Sequence, residues 1–213
     1  MTYDDTYRGS ENVFGAGPES ILIDHYSKMN RGLPVLDVGA GQGRHSFFLA
    51  REGYAVDAVD PSAVAIETIS TRAEREGWPI RTAQCDFDDL VPSTDGYSGI
   101  LIFGLIQILS WESIDRLLEK IKHWTREGSL LFVTAFAVKD ATFEKHSQSS
   151  QLIGKNSFAN NRGDIRTYLE AGEILRIFDR YEVVHHWEGT GAEHRHADNP
   201  PERHAMIEVV LRR

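Results

Sequence analysis

At 213 residues, with 41% hydrophobic and 26% charged side chains, the chain has the make-up of a globular protein able to bury a sizeable core. Lys and Arg number 23 against 32 Asp and Glu, a formal charge of -9. That is the wrong sign for sequence-independent binding to nucleic acid or for docking on an anionic membrane, so no nucleic-acid or membrane partner is expected. A lone cysteine, Cys85, rules out an internal disulfide and suits a reducing cytoplasm. Met1 to Asp5 shows neither the basic nor the apolar region of a secretory signal, and the longest apolar run, Ile100 to Leu109, is far shorter than the roughly 20 residues that span a bilayer.

Short apolar runs alternate with amphipathic helical patterns, which predicts a parallel sheet covered by helices. Residues 1–30 read as a segment lying over that sheet, and the chain as one domain. The first strand is Val35 to Val38, followed by a helix from about Gly43 to Glu52. Tyr54 to Asp60 reads as the second strand. After it, Pro61 and Ser62 open a helix with Ala65, Ile66, Ile69 and Ala73 on one face, ended by Gly77. Ile80 to Gln84 reads as a third strand and Ile100 to Phe103 as a fourth, apolar on both faces. Ser110 caps a helix carrying Ile114, Leu117, Leu118 and Ile121, which Gly128 is expected to close, and Leu130 to Val133 forms the fifth strand. Lys139 to Arg166 is polar throughout and reads as a long irregular insert, functional or mobile. A helix near Ala171 to Phe178, a strand from Tyr181 to Trp187 and a last strand from about Ala205 to Leu211 complete the chain. The two late strands, joined without a helix, form an antiparallel pair at one edge.

The sharpest local signal is Val35-Leu36-Asp37-Val38-Gly39-Ala40-Gly41-Gln42-Gly43. Glycines between a strand and a helix let the backbone turn tightly and approach a ligand, and the helix start presents unpaired N–H groups. Asp60, at the end of the second strand, stands where a carboxylate can accept both hydroxyls of a ribose. Asp86, after the third strand, stands where it can accept from an adenine amino group. Asp37, Asp60 and Asp86 thus close three successive strands, at the rim where open α/β sheets bind ligands. The dinucleotide fingerprint fails in both registers, because Arg44 and Ser46 stand where its last glycine or alanine belongs, and no P-loop lysine is present. A ligand with adenosine and an amino-acid tail but no phosphates, S-adenosylmethionine, fits better.

These residues resemble the class I S-adenosylmethionine-dependent methyltransferases over about residues 34–213. The resemblance implies a Rossmann-like α/β fold of seven mostly parallel strands with the last one antiparallel. It also implies roles: Asp37, Gly39, Gly41 and Gly43 for the methionine end, Asp60 with Pro61 for the ribose, and Asp86 with Phe87 for the adenine. Phe103, Gly104 and Leu105 would line the sulfonium. Closer still, Gly41 to Ala50, and Gly172-Glu173-Ile174 through Gly191-Ala192-Glu193-His194-Arg195, are similar to the tellurite-resistance (TehB-like) methyltransferases. That likeness places His194 and Arg195 on the substrate side and implies a small soft or anionic acceptor, a tellurium or selenium oxyanion or a thiol. The Lys139–Arg166 insert departs from that family, and Arg203 matches its further basic residue only loosely.

Other readings stay open at this level. A cofactor-binding protein without transfer activity would carry the same motifs, and a nicotinamide-dependent oxidoreductase shares the architecture. Five histidines fall in the last 29 residues (His185, His186, His194, His196 and His204), but no Cys or carboxylate at zinc spacing accompanies them, so no metal site is expected. Cys85 reads as a packed side chain. Tyr3, Tyr7 and Phe14 read as anchors of the N-terminal segment that could also cap a cofactor. Oligomeric state is not legible.

Overall fold

A computed structural model of the chain describes residues 3–10, 12–191, 193 and 203–213. Five strands run parallel: β1 (Val35–Val38), β2 (Val56–Asp60), β3 (Ile80–Gln84), β4 (Tyr97–Ile102) and β5 (Thr125–Phe136). Three short ones, β6 (Gln151–Gly154), β7 (Ser157–Ala159) and β8 (Ile165–Thr167), make a separate antiparallel sheet. β9 (Glu182–Thr190) and β10 (Ala205–Arg212) complete the main sheet, whose order is β3-β2-β1-β4-β5-β10-β9. The last strand, β10, is antiparallel to both neighbours, so β9 forms the edge and β10 is inserted beside β5.

The helices are α1 (Tyr3–Arg8), α2 (Ser20–His25), α3 (Arg44–Arg51), α4 (Ala63–Glu76), α5 (Trp111–Trp124), α6 (Ala141–Ser149) and α7 (Glu173–Ile177). Every residue of β1, β2 and β4 is buried, including Asp37, Asp57, Asp60 and Ser98 among their apolar neighbours. On one face Leu36, Ile100, Leu131 and Val209 pack with α5 and α7; on the other Val35, Val56, Leu101 and Phe132 pack with Leu22, Leu49 and Tyr54. Ser62 caps α4 by accepting from the Ala65 amide at 3.2 Å, and Gly77 ends it in the left-handed conformation. Ser110 caps α5 in the same way. Its buried stripe, Ile114, Leu117, Ile121 and Trp124, contributes about 1.5–3 kcal/mol per side chain.

Three sequence expectations need correction. Gly128 does not close α5: the helix ends at Trp124, because Thr125 turns extended and its hydroxyl donates back to the Ile121 carbonyl at 2.8 Å. Gly128 lies instead inside β5, where the pairing with β4 is irregular. β4 starts at Tyr97, three residues early, since two buried polar side chains extend it: Tyr97 donates to Asp57 Oδ2 at 2.8 Å and Ser98 to the Leu33 carbonyl at 3.0 Å. Finally, residues 139–166 are not irregular. They form α6 and the three-stranded sheet, whose inner side holds Phe158 and Tyr168, both buried. Phe143 meets their rings edge-on, with centroids 5.6 and 5.2 Å away.

Candidate active site

The parallel strands all end on one rim, and β10, running the other way, begins there. A cleft of about 2010 Å³ opens along this rim. It is lined by the glycine turn, by Asp60, by residues after β3 and β4, and by the N-terminal segment and the 139–166 insert. A smaller depression between α5 and residues 177–181 touches none of the strand tips.

The turn is built backbone first. Gly39, Gly41 and Gly43 all take positive φ. At Gly41 a Cβ would stand 3.1 Å from Tyr7 Oη, and at Gly43 it would stand 2.7 Å from Ile69 Cγ1, so both positions need glycine for conformation and for space. Asp60 fastens the turn to β2: its two oxygens accept from the amides of Gly41 and Ser62, each at 2.9 Å. Burial raises the Asp60 carboxyl above its ordinary range, against the pull of those two amides. Pro61 lines the cleft beside it.

Asp37 stands behind the turn rather than on the cleft wall. It is buried beneath α3 and accepts from the Ser46 hydroxyl at 2.6 Å; burial raises its carboxyl to about 6. Asp86 is exposed on the cleft wall and accepts from the Asp88 amide at 3.0 Å, while Phe87 beside it is buried. Phe103, Gly104 and Leu105 line the middle of the cleft, and the Gly104 amide donates to Thr134 Oγ1 on β5 at 2.9 Å. His194 and Arg195 lie outside the described residues.

The structure adds residues that sequence spacing did not single out. His45, in the first turn of α3, packs against Phe103 with the rings tilted by 35° and centroids 4.4 Å apart. Its Nε2 is buried with no hydrogen-bond partner among the described residues, as is Gln107 Oε1, and both residues line the cleft. Burial holds the His45 imidazole well below its usual range, so it is neutral. Buried polar atoms of this kind are ordinarily satisfied by water, an ion or a ligand. Across the cleft, His204 lies at the start of β10, 2.9 Å from Asp140 Oδ2 through its Nδ1. Arg166 on β8 also faces the cleft and makes no ion pair among the described residues.

The N-terminal segment crosses the turn. Gln42 holds it, accepting from the Val13 amide at 3.0 Å and donating to the Ser10 carbonyl at 2.6 Å. Arg44 pairs with Glu19 at 2.5 Å. Tyr3 and Tyr7 stack 5.8 Å apart over this end of the cleft, and burial raises both phenols, Tyr7 the more.

A family model described as a methyltransferase domain matches residues 35–128, the stretch holding the glycine turn, Asp60, Asp86 and the start of β5. A relative in Haemophilus influenzae, "Probable S-adenosyl-L-methionine-dependent methyltransferase TehB", is 30% identical over 158 residues, 74% of this chain and 52% of that protein. The chain is thus similar to the class I S-adenosylmethionine-dependent methyltransferases and, among them, to the TehB-like group. The solved structure of Haemophilus influenzae TehB covers this whole chain and 68% of its own, with a TM-score of 0.72 at 18% identity, and shares the fold. "Hemagglutinin 1" of Eikenella corrodens is 26% identical over 157 residues, 74% of this chain and 49% of that protein. The chain thus spans about half the length of these curated relatives. No described helix is long and apolar enough to cross a membrane.

Proposed function

We propose that this protein is a cytoplasmic enzyme that moves a methyl group from S-adenosylmethionine to a small acceptor, a soft or anionic group such as a tellurium or selenium oxyanion or a thiol. The carrying observation is the cleft at the strand tips, where a glycine cradle pinned by Asp60 lies beside two buried polar atoms that have no partner among the described residues. When bound, the cofactor supplies a methyl group already activated on a sulfonium, so the chain need only bind, align and exclude water.

Asp60 and Pro61 hold the ribose, Asp86 and Phe87 the adenine, and Gly39, Gly41 and Gly43 the amino-acid tail, with Asp37 behind them. Phe103, Gly104 and Leu105 border the sulfonium. The acceptor then enters on the side of β4, β5 and β10. There Arg166, with no carboxylate partner among the described residues, favours an anion; His194 and Arg195 are assigned to the substrate by the family likeness alone.

Calorimetry with S-adenosylhomocysteine tests the cofactor reading. Asp60→Ala should weaken binding tenfold or more; unchanged affinity removes the ribose assignment. Transfer of a radiolabelled methyl group to tellurite, selenite or 2-mercaptoethanol tests the acceptor class, and transfer to none of them overturns it.

A further inference from the structure

Glu208 lies midway along β10, half-buried, and lines the cleft. Directly opposite it stand Thr134 on β5 and Trp187 on β9; two residues earlier, Met206 lies opposite Phe136 and Gly189. Opposed residues of a ladder project to one face, as do residues two apart along a strand, so Glu208 shares its face with Thr134, Phe136, Met206 and Trp187. Gly189 lets the Trp187 ring lie back along β9, because a Cβ there would stand 2.6 Å from Trp187 Cζ2. Thr134 accepts from the Gly104 amide, which ties this face to the residues placed at the sulfonium.

Other buried carboxylates at this rim have their donors. Asp60 accepts from two amides and Asp37 from Ser46. Asp140, just beyond β5, takes four: Oδ2 accepts from His204 Nδ1 at 2.9 Å and the Ala205 amide at 2.8 Å, and Oδ1 from the Thr142 amide at 2.9 Å and the Thr142 hydroxyl. Burial alone would raise the Asp140 carboxyl, but the four donors outweigh it and hold it at about 2. The Glu208 carboxylate accepts no hydrogen bond and forms no ion pair among the described residues. Burial raises it, and so does Glu19, a second carboxylate whose own cation, Arg44, is already engaged. The charge of Arg166 is felt by Tyr3 and His146 but not by Glu208. A carboxylate half withdrawn from water is costly until a cation or a donor meets it.

We propose that Glu208 receives an ammonium group on the acceptor, and that the acceptor is a small aminothiol. The inference rests on the methyltransferase reading above and narrows its acceptor. A bare tellurium or selenium oxyanion brings no cation to this carboxylate and is repelled by it. An ammonium gains a charge-assisted hydrogen bond there, and the rings of Phe136 and Trp187 on the same face attract cations as well. Strands β5 and β10 lie about 5 Å apart, close to the span of a two-carbon chain between a nitrogen and a sulfur. The sulfur can therefore stand at Thr134 and Gly104 while the nitrogen rests at Glu208. The acceptor sulfur forms its bond to the methyl carbon as that carbon's bond to the sulfonium breaks. The electron pair of the broken bond stays on the departing sulfur, the thiol proton goes to water, and the ammonium keeps its protons throughout.

The test uses the full chain, radiolabelled S-adenosylmethionine and three thiols of similar length: cysteamine, 2-mercaptoethanol and 3-mercaptopropionate, whose far ends are cationic, neutral and anionic. In Glu208→Gln the ratio of kcat/KM for cysteamine to that for 2-mercaptoethanol should fall about tenfold from its value in the parent, the loss of one charge-assisted bond. The same thiols meet both proteins, so their own reactivities cancel. Affinity for S-adenosylhomocysteine should stay within about twofold, and Glu208→Asp should keep part of the cysteamine preference. A ratio that moves less than about threefold overturns the proposal, as does a parent that prefers 3-mercaptopropionate to cysteamine. Transfer to tellurite or selenite but to none of the thiols also overturns it and leaves the methyltransferase reading standing; transfer to no probe defeats both. Independently of turnover, Glu208→Gln should unfold at the same temperature as the parent or higher, because it removes a charge that has no partner. A variant that unfolds earlier, or fails to fold, shows that Glu208 is already satisfied in the free protein and overturns the assignment.

Discussion

Asp37→Asn should stabilise the protein in a pH-dependent way whose size follows from burial. Desolvation beneath α3 raises the carboxyl from 3.8 to about 6, despite the opposing pull of Ser46 and Arg44. The folded chain therefore holds this proton more tightly than the unfolded chain does. Its contribution to stability is fully present below the unfolded value and is lost as pH rises, with no further loss well above the folded value. A gap of about two pH units, at about 1.4 kcal/mol each, makes about 3 kcal/mol in all; about 2 kcal/mol of that falls between about pH 4.5 and about pH 8. Asn keeps the shape but does not titrate. Urea unfolding of parent and variant across that window should show the stability difference moving in the variant's favour by about 2 kcal/mol as pH rises. The difference between the two curves isolates this group, because the remaining acids and histidines are shared. A constant difference, or one that narrows toward high pH, refutes the reading of Asp37 as a buried acid that resists ionisation.

Three further outcomes are expected. Gly43→Ala combines a positive φ with a Cβ pressed against Ile69 and Phe47, and should cost about 2–4 kcal/mol, read as a fall in thermal midpoint. Tyr97→Phe leaves the buried Asp57 carboxylate with one donor fewer and should cost about 1–3 kcal/mol in urea unfolding, with cofactor affinity unchanged because Asp57 lies away from the cleft. Arg195→Ala should lower turnover on the acceptor while leaving affinity for S-adenosylhomocysteine intact, and equal turnover in parent and variant would leave Arg195 no part in the reaction.

Val35–Val38 and Ile80–Gln84 begin and end where the sequence placed them, the first because burial on both faces selects a mainly apolar run, the second, at the sheet edge and only partly buried, because Gly77 and Pro79 mark its start. Capping chemistry located the starts of α4 and α5 through Ser62 and Ser110. Where polar side chains do the building, pattern reading stopped short. Tyr97 and Ser98 extend β4 through hydrogen bonds that no hydropathy pattern reveals. The 139–166 segment looks loose in composition because its apolar content is confined to a few inward-facing rings. In the cleft, Asp60 could be found because it closes a strand after a glycine turn. His45 was visible only as part of a family likeness, and nothing local announces that its Nε2 is left without a partner. The pairing of His204 with Asp140 joins positions 64 residues apart, and only the insertion of β10 beside β5 brings them together.

The four donors gathered on Asp140 come from two stretches of chain that would otherwise be free to diverge. One carboxylate, just beyond β5, starts the insert's helix and anchors the first residues of β10. Grafting residues 139–170 from a relative would therefore also replace the anion that orients an imidazole encoded far downstream. Recombination between homologues should therefore succeed only when both stretches travel together.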